Sequence, residues 1–151
     1  MSQQADSCVF CDIAAGRAPA QVVLADELSL CILDINPFTA GHCLVIPRRH
    51  LPWWHDLSEA ETVSLFTLAR RASLGLMKTY GPDFVCLYAR GRRIPHTHLF
   101  LVPTRQGDLL DGFFNALERF QEASAALAAL KDPSALAQAA ERVRRACRDD
   151  F

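Results

Sequence analysis

The strongest constraint on the fold is one long helical segment between two groups of short apolar stretches. Ser58-Glu59-Ala60-Glu61 has the form of a capping box, in which the serine hydroxyl accepts a backbone N–H and the last glutamate reaches back. Apolar side chains then recur at helical spacing, at Leu65, Ala69, Ala72 and Leu76. Tyr80-Gly81-Pro82 is a typical helix end. We therefore expect a single amphipathic helix near the middle of the chain.

Five short apolar segments around this helix predict strands. The first two form a hairpin about Asp26-Glu27, and the five are 21–25, 28–34, 42–47, 84–89 and 97–103. After Gly107 the chain is rich in Ala and Leu and predicts helices to Arg148, with a break near Asp132-Pro133. This order predicts an α+β fold, with an antiparallel sheet of about five strands, a central helix and C-terminal helices.

Length and charge narrow the class of protein. A chain of 151 residues buries enough surface to fold as one domain without disulfides, so we expect a single domain over 1–151. The formal net charge of −1 predicts no bulk nucleic-acid or membrane binding. Residues 1–6 are polar, and no apolar run is long enough to cross a bilayer. We therefore expect a cytoplasmic protein whose thiols stay reduced.

The six cysteines fall into two kinds. Four stand alone and are expected to pack as small apolar residues: Cys31, Cys43, Cys86 and Cys147. The other two, Cys8 and Cys11, form a C-x-x-C that has three interpretations: half of a zinc site, a redox dithiol, or chance. A Cys₂His₂ site needs two histidines brought in by folding, and His50 and His96 are candidates because each lies near a strand end.

A second histidine lies two residues after His96. His96, His98 and Phe100 project from one face of the predicted strand, because side chains alternate along a strand. Two histidines side by side indicate a metal site or a catalytic pair. The alternative is one buried histidine that only packs and one that is exposed.

Three ordered motifs resemble the histidine-triad (HIT) family, in its zinc-containing bacterial branch. They are C-V-F-C-D-I-A-A-G-R-A-P at residues 8–19, L-D-I-N-P-F-T-A-G-H-C-L-V-I-P-R-R-H at residues 33–50 and P-H-T-H-L-F-L-V-P at residues 95–103. The resemblance covers about residues 8–112, and it leaves a C-terminal helical extension at about 113–150. It implies a HIT-like fold, a homodimer, and a hydrolase that cleaves small nucleotidyl substrates such as phosphoramidates.

The same resemblance implies roles for individual residues. A closed, structural Zn²⁺ site is held by Cys8, Cys11, His50 and His96. His98 is the nucleophile, and a backbone carbonyl on its other ring nitrogen fixes the tautomer. Asp34 accepts from the ribose hydroxyls, and His42 supports the site. The slot for the base comprises Val9, Phe10, Ile13, Ile32 and Ile35, for which core packing is the alternative.

Two departures from the family pattern bear on activity. Phe100 stands where the family has its third histidine, so a hydrogen-bond donor near the phosphate is missing. The loop before the triad lacks the family's Asn and Ser, and instead offers Arg90, Arg92 and Arg93 as phosphate ligands or as a solvated basic turn. A nucleotide-binding module with weak or no turnover is therefore the main alternative function, and a redox protein without metal is a third.

Overall fold

In the computed structural model, which describes residues 8–149, the five predicted strands form one antiparallel sheet. The strands are β1 (Val22–Ala25), β2 (Ser29–Leu33), β3 (Cys43–Pro47), β4 (Phe84–Tyr88) and β5 (Leu99–Thr104), in the spatial order β1-β2-β3-β5-β4. The α+β prediction is therefore confirmed. The polar segment 1–6, on which part of the compartment prediction rests, lies outside the described residues.

The hairpin between β1 and β2 forms because Asp26 organises its turn. One carboxylate oxygen of Asp26 accepts the backbone N–H of Leu28 at 2.9 Å and that of Ser29 at 2.8 Å. A short acidic side chain that bonds the backbone two residues on is typical of such turns. Beyond the turn, β2 pairs with β3 over its full length, from Ser29 opposite Pro47 to Leu33 opposite Cys43.

The central helix, α2 (Glu59–Tyr80), has the predicted ends. Ser58 Oγ accepts from the backbone N–H of Glu61, and the Glu61 carboxylate accepts from the N–H of Ser58 at 2.8 Å. Gly81 ends the helix in the left-handed conformation, at φ 55°. The buried face of α2 covers one face of the sheet, and this core contains Cys31, Cys43, Val45, Leu65, Leu68, Ala69, Ala72, Leu76, Leu99 and Leu101.

A short helix that periodicity did not predict lies on the opposite face of the sheet. α1 (Val9–Ala14) is six residues long, and its Phe10 is 5% exposed. Phe10 packs into a second apolar cluster with Leu30, Ile32, Leu44 and Ile46, against which Ile13 and Phe100 also lie. The C-x-x-C therefore lies on the face that carries the even-numbered side chains of β5.

The chain divides into two compact units between Asp111 and Gly112. The second unit contains most of α3 (Leu109–Ala123), a 3₁₀ helix at Ala125–Lys131 and α4 (Pro133–Asp149). Asp132 begins α4 by accepting the backbone N–H groups of Ser134 and Ala135, as the predicted break requires. Within residues 8–149, no helix is both long and apolar enough to span a membrane.

The prediction for the four isolated cysteines is correct for two. Cys31 and Cys43 are buried in the core between α2 and the sheet. Cys86 is half-buried in β4, and Cys147 is exposed on α4, so its assignment as a small core residue is wrong. Its neighbours in sequence include Arg144, Arg145 and Arg148, so Cys147 lies in a charged part of α4.

Candidate functional site

Four side chains predicted to bind metal lie together at the start of α1. The ligand atoms of Cys8, Cys11, His50 and His96 all fall within 4.8 Å of one another. Cys11 Sγ is 3.2 Å from His50 Nδ1 and 3.6 Å from His96 Nδ1, and Cys8 Sγ is 3.4 Å from His96 Nδ1. The folded chain therefore brings together residues that are up to 88 positions apart in sequence.

These spacings suit a tetrahedral ion. Metal–sulfur bonds of about 2.3 Å and metal–nitrogen bonds of about 2.0–2.1 Å place sulfur and nitrogen ligands roughly 3.6 Å apart. The three sulfur–nitrogen distances lie at or slightly below that value. The four donors together could hold a metal ion in a closed site with no ligand position left for water.

Hydrogen bonding prepares His96 as a ligand. Its Nε2 donates to the backbone carbonyl of Pro47 at 2.9 Å, so Nδ1 carries a lone pair toward the two thiols. Burial lowers the pKa of His96, which is 0% exposed, and so favours the neutral ring that a metal requires. Burial and a hydrogen bond with Cys8 raise the pKa of Cys11 to about 11. A bound cation counters this effect by stabilising the thiolate.

His98 lies on the same strand face as His96 and is 7% exposed. Its Nδ1 donates to the backbone carbonyl of His96 at 2.6 Å. Because a carbonyl can only accept, the proton sits on Nδ1 and the lone pair sits on Nε2. Phe10 packs against the His98 ring with the ring centres 5.2 Å apart. The imidazole is thus held by packing and by a hydrogen bond, with one nitrogen available to attack an electrophile.

The residues predicted for the base divide into buried and exposed groups. Phe10, Ile13 and Ile32 belong to the apolar cluster beside α1. In contrast, Val9 is 44% exposed and Ile35 is 91% exposed. An isoleucine with most of its surface in water is available to a ligand, whereas Phe10 and Ile32 also serve the core. Burial alone therefore does not separate base contacts from packing in this set.

The half-buried Asp34 and the buried His42 form a polar pair. The Asp34 carboxylate lies 3.6 Å from Nε2 of His42, which is 1% exposed. Nδ1 of His42 accepts the backbone N–H of Phe38 at 3.2 Å, so the ring hydrogen is on Nε2, facing Asp34. Burial lowers the pKa of His42, against an opposing effect of Asp34. At 3.6 Å the two groups are close but not hydrogen-bonded, and His42 Nε2 has no hydrogen-bond partner among the described residues.

Phe100 contacts both His98 and His42. Its ring stacks on Tyr88 with centres 4.6 Å apart and planes 6° apart, and it meets His98 at 5.0 Å and His42 at 5.7 Å. An aromatic stack thus lies at position 100, where the HIT-family pattern described above has its third histidine. The phenyl ring supplies shape and apolar contact to His98 and no hydrogen bond.

The three arginines of the basic turn do not share one environment. All three are exposed; Arg90 borders a cavity of about 150 Å³ that reaches His98, whereas Arg92 and Arg93 do not line it. The same cavity is bordered by residues 52–55, which include Trp53 and Trp54. No sequence motif assigns a role to this Trp pair, whose only signal is two adjacent large aromatic residues in a loop.

Comparison with known proteins identifies the relatives of this chain. The model of the HIT domain family matches residues 15–107. The adenylylsulfatase HINT3 of Arabidopsis thaliana is 33% identical over 110 residues, which cover 70% of this chain and 56% of that protein. The adenosine 5′-monophosphoramidase hnt1 of Schizosaccharomyces pombe is 33% identical over 102 residues, which cover 64% of this chain and 74% of that protein.

Solved structures share the fold. A Zn-bound histidine triad family protein from Mycobacterium smegmatis superposes with a TM-score of 0.63 at 31% identity, over 78% of this chain and 98% of that one. This agreement extends over nearly the whole length of the smaller protein.

Proposed function

The chain belongs to the HIT family, and we propose that it hydrolyses nucleotidyl compounds through a covalent nucleotidyl-His98 intermediate. One observation carries this proposal. The bond from His98 Nδ1 to the His96 carbonyl leaves Nε2 with its lone pair, on a ring held by Phe10. The relatives named as an adenylylsulfatase and an adenosine 5′-monophosphoramidase support an adenylyl substrate.

The reaction proceeds in two displacements at phosphorus. His98 Nε2 attacks the α-phosphorus, a new N–P bond forms, and the bond from phosphorus to the leaving group breaks. The leaving atom takes up a proton from water. In the second step, water attacks phosphorus, the His98 N–P bond breaks, and the nucleoside monophosphate and a proton are released. The His96 carbonyl stabilises the positive charge that develops on the imidazole during the first step.

The nucleoside is held on the α1 face of the sheet. Asp34, whose carboxylate lies 3.6 Å from His42 Nε2, accepts hydrogen bonds from the ribose hydroxyls. Phe10, Ile13, Ile32, Val9 and Ile35 form the slot for the base, in which Ile35 and Val9 have the most surface to offer. Arg90 supplies positive charge beside the cavity at His98, and Arg92 and Arg93 add charge from the same turn.

The metal of the Cys₂His₂ cluster is Zn²⁺ in this proposal. Two thiolates and two imidazoles are ligands that Zn²⁺ prefers, and the solved relative from Mycobacterium smegmatis is Zn-bound. When bound, the ion supplies structural cross-linking and no chemistry at the phosphate. Because Cys8 and Cys11 must remain thiolates to bind it, we place the protein in a reducing cytoplasm.

The protein acts as a homodimer in this proposal. β4 is an edge of the sheet, and its Phe84 and Leu87 are 54% and 45% exposed. Exposed apolar side chains on an edge strand invite pairing with a second copy. Sedimentation equilibrium is expected to give twice the chain mass, and a monomer at all concentrations would contradict it.

Hydrolysis of adenosine 5′-phosphoramidate tests the proposed activity. The informative variant is His98→Asn, because the asparagine amide can still donate to the His96 carbonyl but has no nucleophilic nitrogen. We expect the wild type to release AMP and the variant to lose at least about 10³-fold in kcat. Equal rates for the two proteins would exclude His98 as the nucleophile.

The second candidate function is nucleotide binding without efficient turnover, and Phe100 favours it. A ring that stacks on Tyr88 at 4.6 Å cannot donate to a developing charge on phosphate. Tight AMP binding with no release of product from phosphoramidates, dinucleoside polyphosphates or nucleotide sugars identifies this alternative.

A further inference from the structure

A larger cavity lies on the α2 face of the sheet, apart from the site described above. It is formed by the second half of α2 together with residues of β1, β2 and β3. Its volume of about 290 Å³ is close to the lower end of the range that is typical of small-molecule pockets, roughly 300–1,000 Å³. None of its lining residues belongs to the metal cluster, to the surroundings of His98 or to the set proposed for the nucleoside.

The lining of this cavity is partly core and partly exposed apolar surface. Cys43, Ala72 and Leu76 are buried members of the core under α2. Val23 and Leu33 also line the cavity, but they are 47% and 39% exposed. Apolar side chains that stay partly in water beside a cavity lose part of the free energy of burial, and a ligand that covers them restores it.

Two glycines contribute to the shape of the cavity. A Cβ at Gly41 would clash with the ring of Tyr80, so the turn before β3 packs closely against the end of α2. Gly75, in contrast, lies within α2, and a Cβ there would meet no atom within 4 Å. The chain therefore fills the space beside Gly41 and leaves open the space beside Gly75.

Arg71 gives this apolar cavity a positive charge. It is exposed, and within residues 8–149 the structure gives it no hydrogen bond or ion pair. None of the residues that line the cavity is acidic. A guanidinium is a planar fork of donors that matches a carboxylate. An unpaired guanidinium beside apolar surface therefore favours a ligand with an apolar body and an anionic end.

We propose that this cavity is a second ligand site, which binds an unbranched apolar chain that ends in a carboxylate. The chain covers the exposed apolar side chains, and the carboxylate pairs with Arg71. A bound peptide would instead bring a row of backbone polar groups into the cavity, where the side chains of Arg71, Thr79 and Tyr80 offer few partners. His98 and the metal cluster take no part, so binding here does not depend on the proposed hydrolysis.

The volume sets the length of the chain. A closed apolar cavity of about 150 Å³ holds one benzene ring, so a cavity of about 290 Å³ has room for roughly eight to twelve carbon atoms. Octanoate is the probe, because it is the shortest acid in this range and the most soluble. We expect one octanoate to bind per chain. Butyrate, with half the chain, should bind at least about tenfold more weakly, because it covers less apolar surface.

Methyl NMR of the full chain locates the ligand. The protein is labelled at its Ile, Leu and Val methyl groups and titrated with octanoate. We expect saturable shifts at Val23, Leu33 and Leu76, and none at Ile13 and Ile32 on the α1 face. Shifts at Ile13 and Ile32 in place of the first three would put octanoate beside α1 and contradict the proposal. No saturation by about 10 mM would also overturn it.

Filling the open space beside Gly75 tests the cavity itself. Gly75→Leu should weaken octanoate binding at least about tenfold while Tm stays the same or rises, because leucine favours a helix more than glycine does. Gly112→Leu is the matched control. Gly112 lies within α3, its added Cβ also meets no atom within 4 Å, and it does not line the cavity. Wild-type affinity for octanoate in Gly75→Leu would overturn the proposal.

Removing the charge of Arg71 tests the class of ligand. Arg71→Gln should weaken octanoate binding about fivefold, as expected for one exposed ion pair, and should leave the affinity for uncharged 1-octanol unchanged. Arg70→Gln is the control, because Arg70 is an exposed neighbour on α2 that does not line the cavity. Equal octanoate affinities for wild type, Arg71→Gln and Arg70→Gln would show that the site does not select a carboxylate.

Discussion

The His98 side chain donates to the backbone carbonyl of His96 at 2.6 Å, while the His96 side chain turns its Nδ1 to the two thiols of the C-x-x-C. One residue thus joins two candidate sites: its side chain belongs to the candidate metal cluster and its carbonyl holds the proposed nucleophile. His96 Nε2, in turn, is tied to the Pro47 carbonyl at the end of β3. We therefore expect a change in the candidate metal cluster to reach the proposed phosphate site through one peptide group.

Loss of the metal is expected to lower both stability and activity. In Cys11→Ser the thiol that faces both His50 and His96 is gone, so we expect the proposed Zn²⁺, about one per chain, to be lost. Because structural zinc contributes several kcal/mol to folding, Tm should fall by about 10 °C or more, and kcat should fall with it. Elemental analysis, calorimetry and hydrolysis rates measure the three effects.

The exposed Cys147→Ser is the control for that experiment, because it also removes one thiol. This variant should bind as much zinc as the wild type and should have the same Tm and kcat. If the wild type binds no metal, the four Cys and His side chains do not form a metal site. A Cys11→Ser variant that loses zinc but keeps full kcat would break the proposed link through His96.

Acid should destabilise the fold through Glu61. Its hydrogen bonds with Arg49, followed by the Ser58 backbone, lower its pKa from 4.5 to about 2. A carboxyl with a depressed folded-state pKa stabilises the protein fully above pH 4.5 and loses that contribution as pH falls toward 2. Because Arg49 is 55% exposed and the pair is screened, we expect about 1–2 kcal/mol.

Denaturant unfolding at pH 7 and pH 3 measures this contribution. Glu61→Gln should lower the free energy of unfolding at pH 7 and reduce its loss between the two values. Glu59→Gln, in the same first turn but exposed, should follow the wild type. Parallel pH dependences for Glu61→Gln and wild type would contradict the assignment.

Restoring a donor at position 100 should raise turnover. Phe100 lies 5.0 Å from His98 between ring centres, so a histidine there reaches the phosphate region. Since one donor aimed at developing charge is worth about 10²–10³ in rate, Phe100→His should increase kcat by up to that factor. Steady-state kinetics with adenosine 5′-phosphoramidate, beside Phe120→His as control, tests it. If folded Phe100→His shows no increase in kcat, the absence of a donor at position 100 does not limit turnover.

Asp34 should affect binding of the ribose rather than the chemical step. In Asp34→Asn the side-chain oxygen can still accept the Asn36 N–H, so the turn is preserved while the charge is removed. We expect KM to rise about tenfold with kcat little changed, because a hydrogen bond to a charged group contributes about 1.5–3 kcal/mol. A 2′-deoxy substrate provides the check. Because it lacks one of the two ribose hydroxyls, its KM should rise less on Asp34→Asn. Equal effects on both substrates would exclude a contact with the 2′-hydroxyl.

Local patterns were sufficient to predict the strands and the central helix. Alternating or continuous apolar runs, the Asp26 turn and the Ser58–Glu61 capping box each act over a few residues, and all of them appear in the structure. α1 was missed because six residues contain less than two helical turns, too few for periodicity to show. Cys147 was misassigned because the general tendency of free cysteines to be buried outweighed its sequence neighbours, which include Arg144, Arg145 and Arg148, and it is exposed.

The metal cluster required the family resemblance, because residue spacing alone left the C-x-x-C ambiguous. Only folding brings Cys8 next to His96, and the distance between their side-chain atoms is 3.4 Å. The position of Trp53 and Trp54 could not be predicted at all. They border a cavity that reaches His98 and is formed by two loops, the one that contains residues 52–55 and the one that joins β4 to β5.

Trapping the intermediate tests the central claim most directly. The wild type is mixed with an adenosine phosphoramidate labelled at the α-phosphorus, quenched within milliseconds in denaturant at alkaline pH, and digested for mass spectrometry. We predict an acid-labile adenylyl group on the peptide that contains His98, present in the wild type and missing in His98→Asn. Steady release of labelled AMP with no label on the protein at any quench time would contradict a nucleophilic His98.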